Sequence, residues 1–180
     1  RHVNTKELIM PIIASAGDSK SYTPAPDGTH QAVCVDVIDI GLKPNPFKDG
    51  AMQHKIDIAW QIDERRDDGK RHVLYKRYTL SLNEKATLRH DLESWRGKPF
   101  TRDEEMGFDV ETIIGANCLI NVQHKPGTKD PNKVFANVVS VMPLVKGMTR
   151  QASDGYVRHQ DQQQDTESAP DEVTADDIPF

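Results

Sequence analysis

Cysteine, aromatic side chains and long apolar runs are all scarce in this 180-residue chain, which holds two Cys and 6% Phe, Trp and Tyr. Two thiols cannot build a disulfide scaffold. Cys34 and Cys118 each sit inside an apolar stretch without a CxxC companion, so they read as buried, reduced side chains. No stretch approaches the roughly 20 apolar residues of a membrane span, and no basic-then-apolar leader opens the sequence, so the chain reads as cytoplasmic, with no membrane partner. The seven His show neither HxxxH nor Cys-paired spacing, and there is no glycine-rich phosphate loop, which removes common zinc and nucleotide chemistries. One enzymatic alternative survives: Asp36, Asp39, Asp57 and Asp63 could hold Mg²⁺ as in nucleases. Acids on strand exteriors are commonly only solvated, and the chain is read as a non-enzyme that calls for no cofactor.

Apolar residues are in short supply overall, at 36% against 28% charged, with a mean hydropathy of −0.66. The shortfall lies at one end. Residues 148–180 hold two basic residues, Arg150 and Arg158, and eight acidic ones, which leaves 21 basic and 20 acidic of the chain's 23 and 28 for residues 1–147. The net charge of −5 therefore belongs to the tail, and the rest of the chain is free to meet an anionic ligand. Rich in Gln, Asp, Ser and Thr, residues 148–171 cannot offset the entropy of ordering by burying surface, and are expected to form a disordered linker.

What is present is mostly β pattern. After a Gly/Pro/Ser/Thr lead-in over 1–29, "QAVCVDVIDIGL" reads as a first strand, and a two-proline loop separates it from "HKIDIAWQIDE". There Ile56, Ile58, Trp60 and Ile62 alternate with Lys55, Asp57, Ala59, Gln61 and Asp63. The charged turn "RRDDGKR" leads to a third strand, "HVLYKRYTLSL". The period then becomes helical: Leu88, Leu92 and Trp95 stand at i, i+4 and i+7, with Asn83 as the expected N-cap and Gly97 as the stop. Thr101 and Glu104 have capping-box spacing. "ANCLINVQH" and "VFANVVSVMPL" supply strands four and five around the turn "KPGTKDPNK".

Five strands with a helix between the third and fourth is the element order of an OB-fold, a mainly β, five-stranded Greek-key barrel; another five-stranded α+β domain is the alternative. The domain is expected over 30–147. In this barrel strand one pairs with strand four, making Cys34 and Cys118 neighbours.

Beyond the linker, residues 172–180 end in "DDIPF". Phe180 offers a ring and a carboxylate, Pro179 removes a donor, Ile178 adds apolar surface, and Asp176 and Asp177 add charge. Such a tip suits an apolar pocket rimmed by Arg or Lys. It resembles the acidic C-terminal tip of bacterial single-stranded DNA-binding proteins, which docks onto DNA-maintenance partners. "KRYTLSLNEKATLRHDLESWRGKPF" is similar to phage or mobile-element proteins regarded as divergent single-stranded DNA-binding proteins. Together the resemblances imply binding of single-stranded DNA in DNA replication, recombination or repair, with partner proteins recruited through the tip. Association into a homo-oligomer is left open.

Gripping unpaired strands without sequence preference takes a cationic groove for phosphates and flat side chains on which bases stack. On the third strand Leu74, Tyr78 and Leu80 are expected in the core, which leaves Arg71, Tyr75 and Arg77 on the binding face. Lys55 and Gln61 lie on the polar face of the second strand. Trp60 is a further stacking candidate, although it shares its face with three isoleucines. Lys43, Phe47 and Lys48 fall in the first loop, and Lys125, Lys129 and Lys133 surround the 4–5 loop. On this reading Tyr75→Ala weakens binding at every salt concentration, whereas Arg77→Ala chiefly lowers the salt slope. The alternative function is an OB-fold adaptor for protein or structured RNA.

Overall fold

A computed structural model describes residues 23–167, with side chains as far as residue 163. Along the chain run β1 (Gly28–Pro44), β2 (Met52–Arg65), β3 (Arg71–Thr79), α1 (Thr87–Arg96), α2 (Arg102–Met106), a 3₁₀ turn (Val110–Ile113), β4 (Asn117–Pro126), β5 (Val134–Met142) and α3 (His159–Glu167). The strands form one antiparallel sheet in the order β3-β2-β1-β4-β5.

Alternation along each strand builds a single main core. Ile56, Ile58, Trp60 and Ile62 of β2 meet Ala32 and Cys34 of β1, Leu74 and Tyr78 of β3, Cys118, Ile120 and Val122 of β4, and Val138 and Val141 of β5. Both thiols are free and buried, and burial pushes the Cys34 thiol up to about 12. Leu80 does not join them: β3 ends at Thr79 and Leu80 is exposed. Order also begins earlier than the lead-in composition suggests. Ala25 is already buried, and its carbonyl accepts from His124 Nε2 at 2.7 Å.

Helix α1 bridges the two edges of the sheet. Leu88, Leu92 and Trp95 are buried, while Asp91 accepts from Lys76 Nζ at 2.6 Å and the Tyr78 hydroxyl at 2.7 Å, both on β3. Ser94 Oγ donates to the Val141 carbonyl of β5 at 2.7 Å, and Trp95 Nε1 to the Asn117 carbonyl of β4 at 2.9 Å. Gly97 ends the helix with φ 69°, a left-handed conformation that suits a residue without Cβ. Asn83 is not the N-cap. Ala86 takes that position without a side-chain bond, because Asn83 is used one turn earlier, its carbonyl accepting from the Ala86 N–H. The Thr101–Glu104 capping box forms with both bonds.

The edges β3 and β5 pack against one another but share no ladder. The sheet is therefore open at this seam rather than closed into a continuous hydrogen-bonded barrel. At the other end β1 outruns its ladder with β4, which stops at Val33, and its last residues pair only with β2, to Pro44↔Met52. Register shifts at Cys34/Asp36 and Asp39/Gly41 bend β1 on the way. The result is a two-stranded arm. No helix among the described residues is long and apolar enough to cross a membrane.

Candidate nucleic-acid interface

Side chains of opposite parity to the core form the outer face of β1, β2 and β3. Across β2 and β3 this face reads Lys55–Thr79, Asp57–Arg77, Ala59–Tyr75 and Gln61–Val73 in successive cross-strand pairs. Tyr75 stands opposite an alanine, so nothing from β2 covers its ring, which is 51% exposed. Arg77 makes a two-pronged ion pair with Asp57, both bonds 2.8 Å. That pairing holds the guanidinium above its ordinary pKa but spends its charge within the chain. Lys55 Nζ donates to Thr79 Oγ1 at 2.6 Å.

Half of this face is covered, and by the segment expected to be disordered. Gln31 Nε2 donates to the Thr149 carbonyl at 2.6 Å. The Asn117 side-chain amide donates to the Gln151 carbonyl and accepts from its N–H, at 2.9 and 2.7 Å. Gln61 does the same with Asp154, at 2.8 and 2.7 Å, and Arg71 donates to the Ala152 carbonyl at 3.0 Å. After a reversal at Gly155, whose φ is 64°, Tyr156 packs on Val33, Val35, Ala59 and Val73.

Asp36 anchors the return. Only 1% exposed, it accepts from the Tyr156 hydroxyl at 3.1 Å, Arg158 Nε at 3.2 Å and the His159 N–H at 2.7 Å. Arg158 reaches Glu111 as well, at 2.8 Å. Composition misjudged 148–158 because the order comes from polar side chains on the sheet bonding to its backbone, a source that apolar content does not measure. Helix α3 follows at His159. The rest of the linker, from 168, and the docking tip Asp176, Asp177, Ile178, Pro179 and Phe180 lie outside the described residues.

Of the sequence candidates, Trp60 must be withdrawn. It is 1% exposed, with its ring centroid 6.2 Å from that of Trp95, and a ring enclosed in a core cannot stack on a base. Gln61 and Arg71 lie on the outer face as expected, yet residues 148–158, a strap laid across the sheet, occupy both, and Arg71 also pairs with Asp63 at 3.4 Å. Tyr75 is on the open part of the face. Lys43 lies next to the end of β1 on the arm, opposite Gln53, and Phe47 in the turn beyond it is 95% exposed. Lys48 is in the same turn, its carbonyl accepting from the Ala51 N–H. Lys125 pairs in register with Phe135 at the end of the β4–β5 hairpin, whose connection carries Lys129 and Lys133, all three lysines exposed.

Two rings escaped the sequence reading. Phe135 is 44% exposed and lies over Gly127, where a Cβ would stand 2.9 Å from the ring and 2.7 Å from the Asp130 carbonyl. Its signal was available, since Phe135 and Asn137 alternate with the core side chain Val138. Tyr156 gave a weaker one, as the single ring in a polar segment. Its hydroxyl lies close to that of Tyr75, and burial raises it far above the ordinary pKa.

The carboxylates considered for Mg²⁺ are dispersed. Asp39 accepts from His54 Nε2 at 2.6 Å, which lowers its pKa, while Asp57 and Asp36 are held by Arg77 and by the strap. Among the described residues no group of three or more His, Cys, Asp or Glu is gathered as for a metal ion. The outer face thus presents the Tyr75 ring, and the two hairpins present Phe47 and exposed lysines. No protein-family model matches the sequence, and a search of curated proteins finds no match.

Proposed function

We propose that this chain binds single-stranded DNA without sequence preference, in the service of DNA replication, recombination or repair. Its outer β2–β3 face and its two lysine-bearing hairpins carry the contact. The observation that supports this most is the exposure of rings and lysines: Phe47 is 95% exposed in a stretch of sequence flanked by the exposed Lys43 and Lys48, and the Tyr75 ring is 51% exposed on the outer face. Bases stack on such rings at about 1–3 kcal/mol each, and phosphates meet the lysines.

The fold reading that accompanies this is an OB-fold. The order β3-β2-β1-β4-β5 is the one in which that barrel is built, with β3 packed against β5 at the junction. Docking of replication, recombination or repair proteins on Asp176–Phe180 rests on the sequence resemblance alone.

An oligo-dT length series with mass determination tests the function. Saturable binding that strengthens with length up to a defined footprint supports it. A preference for duplex DNA or structured RNA in competition supports the adaptor alternative instead.

A further inference from the structure

The strap and the open face meet at Tyr156. Its ring rests in a notch walled by Val33, Val35, Ala59 and Val73, and its hydroxyl, which donates to Asp36 at 3.1 Å, lies close to that of Tyr75. At the edge of the notch are an amide, Gln61, and a guanidinium, Arg71, and the strap engages both through its own backbone at Asp154 and Ala152. Flat apolar walls, a neighbouring exposed ring, an amide and a cation are what an unpaired nucleotide requires: a stacking surface, a partner for the base edge and a partner for the phosphate.

We infer that the notch under Tyr156 is a nucleobase subsite which the strap, residues 148–158, covers in the free chain, and that a bound single strand lifts the middle of this strap to reach it. The inference rests on the single-strand reading above. The strap is suited to exchange. Between Gln151 and Tyr156 it lies exposed, and from Gln151 to Asp154 it is held by side chains rather than by a strand ladder, so its bonds to Gln61 and Arg71 can be handed one for one to a ligand. Its firmest anchor, Asp36, is a carboxylate that would repel phosphate if the strap left it bare. Full detachment is therefore not expected, and the residues from Ala152 to Tyr156 are the part that lifts.

Hydrogen exchange on the full chain, with and without oligo-dT, is the test, together with the affinity of Tyr156→Ala. The free chain should protect the Asp154 amide, and oligo-dT should remove that protection while the His159 amide, bonded to Asp36, stays protected. Tyr156→Ala should bind oligo-dT tighter by about fivefold or more, the factor that one hydrogen bond no longer broken corresponds to. Binding that leaves the Asp154 amide protected overturns the inference and spares the function, whatever the variant does. Binding that exposes Asp154 but is weakened by Tyr156→Ala overturns the subsite as drawn, making Tyr156 part of the contact. Absence of binding by both proteins overturns the function and this inference with it.

Discussion

Gln61 of β2 and Asp154 of the strap exchange two hydrogen bonds, the side-chain amide of one against the backbone of the other, at 2.8 and 2.7 Å. Gln61 is buried while Asp154 is exposed, so the strap backbone can turn to water if Gln61 is lost. Gln61→Ala should therefore destabilise the fold by only about 1–2 kcal/mol while releasing the Asp154 amide to exchange. Urea unfolding and exchange at that amide read the two effects separately.

Trp60 and Trp95 share a core but not a role. Trp95 Nε1 donates to the Asn117 carbonyl, whereas Trp60 Nε1 is buried without a partner among the described residues. Trp95→Phe should cost about 1 kcal/mol more than Trp60→Phe, because only the former orphans an acceptor. Both losses include the volume left by the indole, so the difference between the two denaturation midpoints is the informative quantity.

Salt dependence should follow the lysines rather than Arg77. With Arg77 already paired to Asp57, Arg77→Ala is expected to leave the slope of log affinity against log salt nearly unchanged. Each of Lys43, Lys48, Lys125 and Lys129 that meets a phosphate should account for about 0.7 of it. Titrations of lysine-to-glutamine variants at several salt concentrations measure these slopes directly.

His72 should make stability pH-dependent. Burial, then the Arg66 charge, lowers its pKa from the ordinary 6.5. The folded chain therefore binds fewer protons here than the unfolded one, so stability present above about 6.5 declines as pH falls toward the folded value. The urea midpoint should drop between about pH 7.5 and about pH 5.5, and by less in His72→Gln.

How much of this was legible beforehand varied with the kind of signal. Period-two alternation in β2 and the i, i+4, i+7 spacing in α1 located both elements, because burial imposes those periods directly. The same alternation put Trp60 among the isoleucines, yet its ring kept it a stacking candidate, and its burial overturns that candidacy. Tyr75 was placed on the outer face by parity alone, but its exposure depends on the small partner Ala59, a cross-strand fact that no single strand contains. The strap was illegible for a different reason. Asn117, Gln61 and Asp36 come together from three strands to hold it, and nothing within 148–158 names those partners. The open seam between β3 and β5 likewise depends on whether two edges meet, which strand order leaves undecided.

Fluorescence anisotropy of oligo-dT with the full chain and with the double variant Phe47→Ala/Tyr75→Ala tests the central claim most directly. At low salt the intact chain should bind oligo-dT in preference to duplex. The variant should lose roughly 2–6 kcal/mol of affinity, two rings at about 1–3 each, a deficit that persists at high salt. Equal affinity of the two proteins, or no binding by the intact chain, would contradict it.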